Sequence, residues 1–491
     1  MGLETLAGGA AVLAAWMIVH PPQIGSRGTL IGGLVVLLFV SFLPPLTLRS
    51  KLYWLSPAVL YSFMTALSLG LGAIAWFDRP AHALPELTQS LVAQALFAVS
   101  TGLACYWLGF FVGSSNRERS APPKIRPSWL APIWLLVLAY SAGLILKVVL
   151  LNVGAFGYQS VLGLDPSLSG WVQWVMVGSG ITTVVLVISG VQFFGGFSRA
   201  HGLLLTCLTG IELAFGFASG YKGNVLTPVF LLLLVYAYYR EQLPKRVLFV
   251  SATIFVLVLI PANLLHREEL STGTGVSGVA AQTSGAVAAS LRLPLEERLS
   301  ILGQWSSVRF RNLDSVALIL QKTPTPYPYL EGKYYVIAPA ATFVPRVLWP
   351  AKPTFDLGLQ FSRTYRRLPP SIRTSTPITH VGGLYMNFGW LGIMAGMTLL
   401  GIASSLLFKW FRRKQTVVSL VVYLMALKVL LEVEGDFSTL IVNGVREVGF
   451  AAVVSVFIVG SSRHIASESR LPIGPAAALS GNSSGAHDKR P

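Results

Sequence analysis

The residues best equipped for chemistry gather between His266 and His380, the only long interruption in a chain that is otherwise one apolar run after another. This stretch carries Arg346, Lys352, Arg363, Arg366, Arg367 and Arg373, preceded by Arg267, Arg292, Arg298, Arg309, Arg311, Lys322 and Lys333. They outnumber the acids of the same stretch, Glu268, Glu269, Glu296, Glu297, Asp314, Glu331 and Asp356. Arginine presents a planar fork that binds phosphate oxygens in pairs and keeps its charge at any relevant pH, so the set as a whole reads as a phosphate site. Any single arginine of the set also fits a solvated or headgroup-contacting surface.

The elements that must position these residues are set by composition. Of 491 residues, 53% are hydrophobic and only 12% charged, where a soluble chain is about one quarter charged. This is the composition of a polytopic membrane protein. A crossing needs about 20 apolar residues, and the chain offers about twelve such runs, from Leu3 to His20 through Val381 to Phe411, Thr416 to Val433 and Val445 to Gly460. The predicted fold class is therefore all-α, with residues 1–265 an N-terminal transmembrane bundle of about nine helices. Residues 266–380 are read as one long extracytoplasmic loop, and 381–460 as about three C-terminal helices. Residues 461–491, ending in SGNSSGAHDKRP, read as a disordered cytoplasmic tail.

The formal charge of +17 does not point to nucleic acid. Loops on one side carry Arg49, Lys51, Arg117, Arg119, Lys124, Arg126, Arg199, Arg240, Lys245, Arg246, Arg412, Arg413 and Lys414, whereas the short loops on the other carry Arg27, Arg79 and Lys222. The bias reports topology, with both termini cytoplasmic and residues 266–380 outside. Cys105 and Cys207 both fall in apolar runs, at no metal-ligand spacing. No P-loop and no Gly-x-Ser-x-Gly elbow occurs, which excludes those routes to ATP hydrolysis and acyl transfer.

Within the outer stretch, STGTGVSGVAAQTSGAVAAS lacks helical periodicity and reads as a linker or a mobile lid. Leu291, Leu295, Leu299 and Leu302 recur at helical spacing, as in a helix lying on an interface. Tyr327, Tyr329, Tyr334, Tyr335 and Trp349 fit an aromatic belt, and such faces also stack on sugars. Inside the apolar runs, Lys147, Glu212, Lys428 and Glu432 fall in the outer halves of their helices, a placement that suits an outward-opening cavity better than a channel. A carboxylate as deep as Glu212 requires a Lys or Arg partner in the same cavity. Glu432, Glu434, Asp436, Arg446 and Glu447 flank the last outer loop.

The order FRNLDS, LEGKYY, FVPRVLWPAKP and GGLYMNFGWLG resembles the Wzy-type O-antigen polymerases of the wider polysaccharide polymerase and ligase group, over about Arg309 to Gly401. One departure is Gly383-Leu384, where many relatives have an acidic residue. The resemblance implies a GT-C-like fold and a metal-independent glycosyltransferase of the bacterial cytoplasmic membrane, with no cofactor. It would join polyprenyl-pyrophosphate-linked glycan units into a surface polysaccharide, with membrane lipids, a chain-length regulator and a flippase as partners. A ligase of the same donor chemistry, or a transporter of lipid-linked sugars, are the alternatives. Such chemistry must stabilise a pyrophosphate leaving group and take a proton from an acceptor hydroxyl. Arg346, Lys352, Arg363, Arg366, Arg367, Arg373, Lys222 and Arg446 are the candidates for the first task, and His380, then Glu212 and Asp314, for the second.

The topology is tested by reporter fusions. Fusions after Tyr239 or Lys414 should report as cytoplasmic and one at Ser284 as exported; an active cytoplasmic reporter at Ser284 would reverse the orientation.

Overall fold

The structure is a computed structural model that describes residues 26–47, 55–78, 84–114, 131–157, 169–196, 199–269, 275–309, 311–337, 344, 349, 357–369 and 375–468. The apolar run at Leu3, the candidates Arg346, Lys352 and Arg373, and the part of the predicted tail from residue 469 lie outside them, whereas residues 461–468, read from the sequence as the start of that tail, continue the last helix. The described residues are all helical or irregular, with no strand. They form α1 (Ser26–Thr47), α2 (Pro57–Phe77), α3 (Gln89–Gly113), α4 (Ile133–Asn152), α5 (Trp171–Phe194), α6 (Arg199–Ala218), α7 (Lys222–Arg240) and α8 (Lys245–Arg267). There follow α9 (Gly275–Arg292), α10 (Leu295–Arg309), α11 (Asn312–Lys322), α12 (Leu357–Thr364), α13 (His380–Lys414), α14 (Val417–Leu430) and α15 (Phe437–Ser462). Among the described residues, nine helices are long and apolar enough to cross a membrane, and the apolar parts of α1 and α14 are shorter.

The bundle is built around α3, which is buried over most of its length. Helices in lipid gain little by excluding water from one another and associate through close packing at small residues. The sequence supplies these in α3 as Gly102, Gly109 and Gly113, and in α13 as Gly401. A Cβ on Gly401 would fall 2.0 Å from the Tyr106 carbonyl oxygen, and one on Gly109 would fall 2.0 Å from that of Thr398. The two backbones therefore touch.

The apolar run from Val381 to Phe411 is not one straight helix. Gly389 leaves helical space at φ 62°, ψ −147°, a conformation open to glycine and closed to most side chains. The chain reverses there: a Cβ on Gly392 would lie 2.4 Å from the Leu384 carbonyl oxygen, and one on Gly396 would meet the Leu384 side chain at 2.3 Å. Residues 380–388 thus fold back along 390–414, and residues 390–414 alone are long enough to span. The freed carbonyls of Met386 and Asn387 are taken by the backbone N–H groups of Leu330 (3.0 Å) and Glu331 (3.2 Å). Asn387 Oδ1 accepts from Gly332 N at 3.0 Å, and its Nδ2 donates to Gly383 O and to the Tyr335 hydroxyl. LEGKYY and GGLYMNFG therefore meet in space, one strapping the bend in the other.

The segment Ser271 to Ser290 differs from its sequence reading as linker or lid. From Gly275 it is helical, and Ser290 Oγ donates to the Val258 carbonyl of α8 at 3.1 Å. Its Gly, Ala and Ser residues, which look loose by periodicity, are those that let a helix lie close against another. Val258 is about 13 Å along the helix from Arg267 at about 1.5 Å per residue, so α9 runs back down α8. The leucine pattern at Leu291, Leu295 and Leu299 is split at Pro294 between α9 and α10, and all three side chains are exposed.

Replacing Gly401 by Ala should lower the melting temperature of purified protein, by about 1–3 kcal/mol of overpacking. The same change at Gly460, where a Cβ meets nothing within 4 Å, should leave it unchanged. Equal melting of the two variants would contradict the close contact of α3 and α13.

Candidate functional site

A charged concavity lies between α4, α5, α6, α7, α14 and α15. It encloses about 270 Å³, just under the range of about 300–1,000 Å³ usual for small-molecule pockets. Its charged lining is Lys147, Glu212, Lys428, Arg446 and Glu447, set among Phe156, Met176, Phe215 and Phe450.

Each charge is delivered by its helix for a local reason. Lys147 and Glu212 lie in apolar helices near the ends toward the Val153–Gly157 and Gly220 turns. An isolated charge there would be costly, and the two solve the problem together. Lys147 Nζ donates to both carboxylate oxygens of Glu212, at 2.7 and 2.8 Å, and the Tyr140 hydroxyl donates to Oε1 at 3.0 Å. This is the cationic partner that the depth of Glu212 calls for. The Lys147 ammonium does not reach out toward the interface but is buried in the pair.

Arg446 and Glu447 lie in a π-helical turn, Gly444–Val448, at the start of α15; such turns widen the helix and re-aim side chains. Lys428 Nζ donates to Glu447 Oε2 at 2.6 Å, while Arg446 stands 3.7 Å from Glu447 Oε1 and donates to Asn443 Oδ1 at 3.1 Å. On α7, Pro228 has no N–H to give the Asn224 carbonyl, so the helix ladder is interrupted at the cavity wall. Lys222 opens the same helix, half-buried, two residues before Asn224.

The other candidates fall elsewhere. His380 is 1% exposed. Its Nδ1 is 3.0 Å from the Tyr61 hydroxyl, its ring lies parallel to that of Tyr61, and its backbone N–H meets Val433 O. These are the contacts of a packed core histidine, well away from the cavity lining. Asp314 accepts from Arg311 Nε at 2.7 Å and from Trp76 Nε1 at 2.8 Å, which pins α11 to the end of α2. The i,i+3 pairing with Arg311 is the one its spacing suggests. Arg366 and Arg367 follow α12, and Arg363 is exposed on it. Of the site candidates named from the sequence, Glu212 and Arg446 line the cavity.

The acids between α14 and α15 are held by separate partners. Asp436 is spent as the N-cap of α15, accepting from Ser438 N at 2.7 Å and Thr439 N at 3.2 Å. Glu434 accepts from Ser68, and Glu432 from Asn443 at 3.4 Å. Glu432 and Asp436 share no helix face, because α14 ends at Leu430 and α15 begins at Phe437. Glu447 is the carboxylate in contact with Arg446, at 3.7 Å, while Glu432 is joined to Arg446 through Asn443. A Cβ on Gly383 would come within 3.4 Å of Asp436 Cβ, so the start of α15 packs against Gly383. Lys428 and Glu447 are the cavity members that charge inside an apolar run could single out but spacing could not pair.

This architecture, an all-α chain of spanning-length apolar helices around a charged cavity, is joined to one family. A family model described as a domain of unknown function, DUF8712, matches residues 147–411, more than half of the chain, and the chain belongs to that family. No curated protein and no solved structure matches it.

Glu212→Gln should destabilise the protein by about 3–5 kcal/mol, because Lys147 is left buried without a counter-charge. The double variant Lys147→Met, Glu212→Leu should recover most of that loss in a thermal melt. A double variant as unstable as the single would contradict the coupling.

Proposed function

We propose that the protein is a membrane glycosyltransferase that polymerises polyprenyl-pyrophosphate-linked oligosaccharide units into a surface polysaccharide, at the outer face of a bacterial cytoplasmic membrane. The observation that carries the reading is the cavity, in which three cations, Lys147, Lys428 and Arg446, converge with two carboxylates, Glu212 and Glu447. The net positive lining suits a departing pyrophosphate, and the carboxylates suit the acceptor proton. The order of the four sequence motifs adds a resemblance to Wzy-type polymerases.

Arg446 and Lys428 would meet the leaving group. Both already lie in the lining, so little reorganisation accompanies charge development. Glu447 is the better base of the two acids: its Oε1 has a single loose contact at 3.7 Å, whereas Glu212 is held by Lys147 and Tyr140. With fixed cations supplied, the step needs no divalent metal. The cavity admits a phosphate group or one sugar ring, so the glycan itself would lie outside it.

The test is polymerisation of lipid-linked repeat units by purified protein. Activity should persist in excess EDTA and fall about 100-fold in Arg446→Gln, the usual cost of one preorganised donor. Loss of activity restored by Mg²⁺ would overturn the cation mechanism. Movement of intact lipid-linked units across a vesicle membrane, without chain growth, would favour a transporter instead.

A further inference from the structure

A second concentration of positive charge lies outside the spanning helices and shares no residue with the cavity. Arg311 precedes α11, Lys322 ends it, and Arg366 and Arg367 follow α12. Lys322 Nζ ties these elements together, donating to Glu86 Oε1 at 2.9 Å and to the Tyr365 carbonyl at 2.8 Å. Glu86 is held below the usual carboxylate range, first by its hydrogen bond to Lys322 and also by the charges of Lys322 and Arg367.

The charges here do not balance. Asp314 has one oxygen engaged by Arg311 and the other by Trp76, and Glu86 is engaged by Lys322. Arg366 is half-buried, donates from Nη1 to the Thr376 hydroxyl at 3.2 Å, and makes no ion pair among the described residues. Burial and then the Arg311 charge push its pKa down, and the nearby Asp314 carboxylate offsets part of that, while a guanidinium remains charged in a protein. With both Asp314 oxygens already engaged by Arg311 and Trp76, the four cations Arg311, Lys322, Arg366 and Arg367 still outnumber the two acids Asp314 and Glu86, an arrangement that a further anion would relieve.

Aromatic surface adjoins the charge. The Tyr327 and Tyr365 rings lie 4.8 Å apart, and the Tyr327 hydroxyl donates to the Thr364 carbonyl at 2.9 Å. Tyr365 packs in turn on Phe361 at 4.9 Å. This fixes the half-buried ring of Tyr327 against Tyr365, the residue before Arg366.

We propose that Arg366, with Arg311, Arg367 and Lys322 around it and Tyr327 beside it, forms a binding site for an anionic saccharide whose ring bears a carboxylate or phosphate. Arg366 supplies the fork to the anion and Tyr327 the stacking face. The site would take the glycan of a substrate whose reacting end lies in the cavity, so in that respect it rests on the glycosyltransferase reading.

The experiment is calorimetric titration of the full chain in nanodiscs with an oligomer of glucuronate, a neutral glucose oligomer of equal length, and inorganic phosphate. The glucuronate oligomer should bind, and the neutral one at least about tenfold more weakly, as expected for loss of hydrogen bonds to a charged group. Arg366→Gln and the exposed Arg367→Gln should each weaken the glucuronate oligomer, Arg366→Gln by about tenfold or more. Arg363→Gln, equal in charge and exposed on α12, should leave binding near wild type. Competition by phosphate assigns the anion as either group, and its failure to compete assigns a carboxylate; both support the site. Equal binding of charged and neutral oligomers, or wild-type binding in both Arg366→Gln and Arg367→Gln, overturns it. Arg446→Gln should bind glucuronate normally. A chain that extends glycans without binding glucuronate therefore fails this proposal alone, and one that binds glucuronate but extends nothing fails the enzymatic reading alone.

Discussion

A charge placed in an apolar helix must find a counter-charge, and the cavity wall follows from that constraint. Lys147 on α4 and Glu212 on α6 are far apart in sequence, yet each is affordable only because the other is present. Lys428 and Glu447 impose the same requirement on α14 and α15. Together the two pairs hold four helices at fixed separations, and the space left between them is lined by charge. In a medium of low dielectric, such pairs are strong in geometry and modest in net stability.

Much of the architecture was legible in the sequence because hydrophobic length is a coarse and robust signal. The apolar runs from Gly28 onward coincide with helices, and the deep carboxylate of Glu212 calls for a cation that the fold provides. What escaped the reading depends on single residues acting across space. Gly389 turns an unbroken apolar run into a fold-back, and periodicity cannot register one glycine at positive φ. The Gly, Ala and Ser content of α9 resembles a linker by composition, although small residues are also how helices approach in lipid. Glu432 is fourteen residues from Arg446 in sequence, and its link to Arg446 through Asn443 is a contact that spacing cannot register.

The motifs behind the family resemblance divide in the same way. Within FRNLDS, Asn312 donates to Ser68 and Asp314 locks onto Trp76. Within LEGKYY and GGLYMNFG, the polar groups are consumed in strapping the bend at Gly389. FRNLDS, LEGKYY and GGLYMNFG hold elements of the scaffold together, FVPRVLWPAKP lies outside the described residues apart from Val344 and Trp349, and the described cavity lining contains no residue of the four. His380 follows the same rule: its position at a helix mouth suggested a base, whereas its neighbours Tyr61 and Phe437 enclose it as core.

The most direct measurement is the glycan profile of a deletion strain, complemented in parallel with wild-type protein and with Glu447→Gln at matched levels. If the cavity carries out polymerisation, the deletion strain and the Glu447→Gln strain should both show a single repeat unit where the wild-type complement shows long chains. Long chains in the deletion strain would contradict the proposed activity. Long chains in the Glu447→Gln strain alone would remove Glu447 from the mechanism.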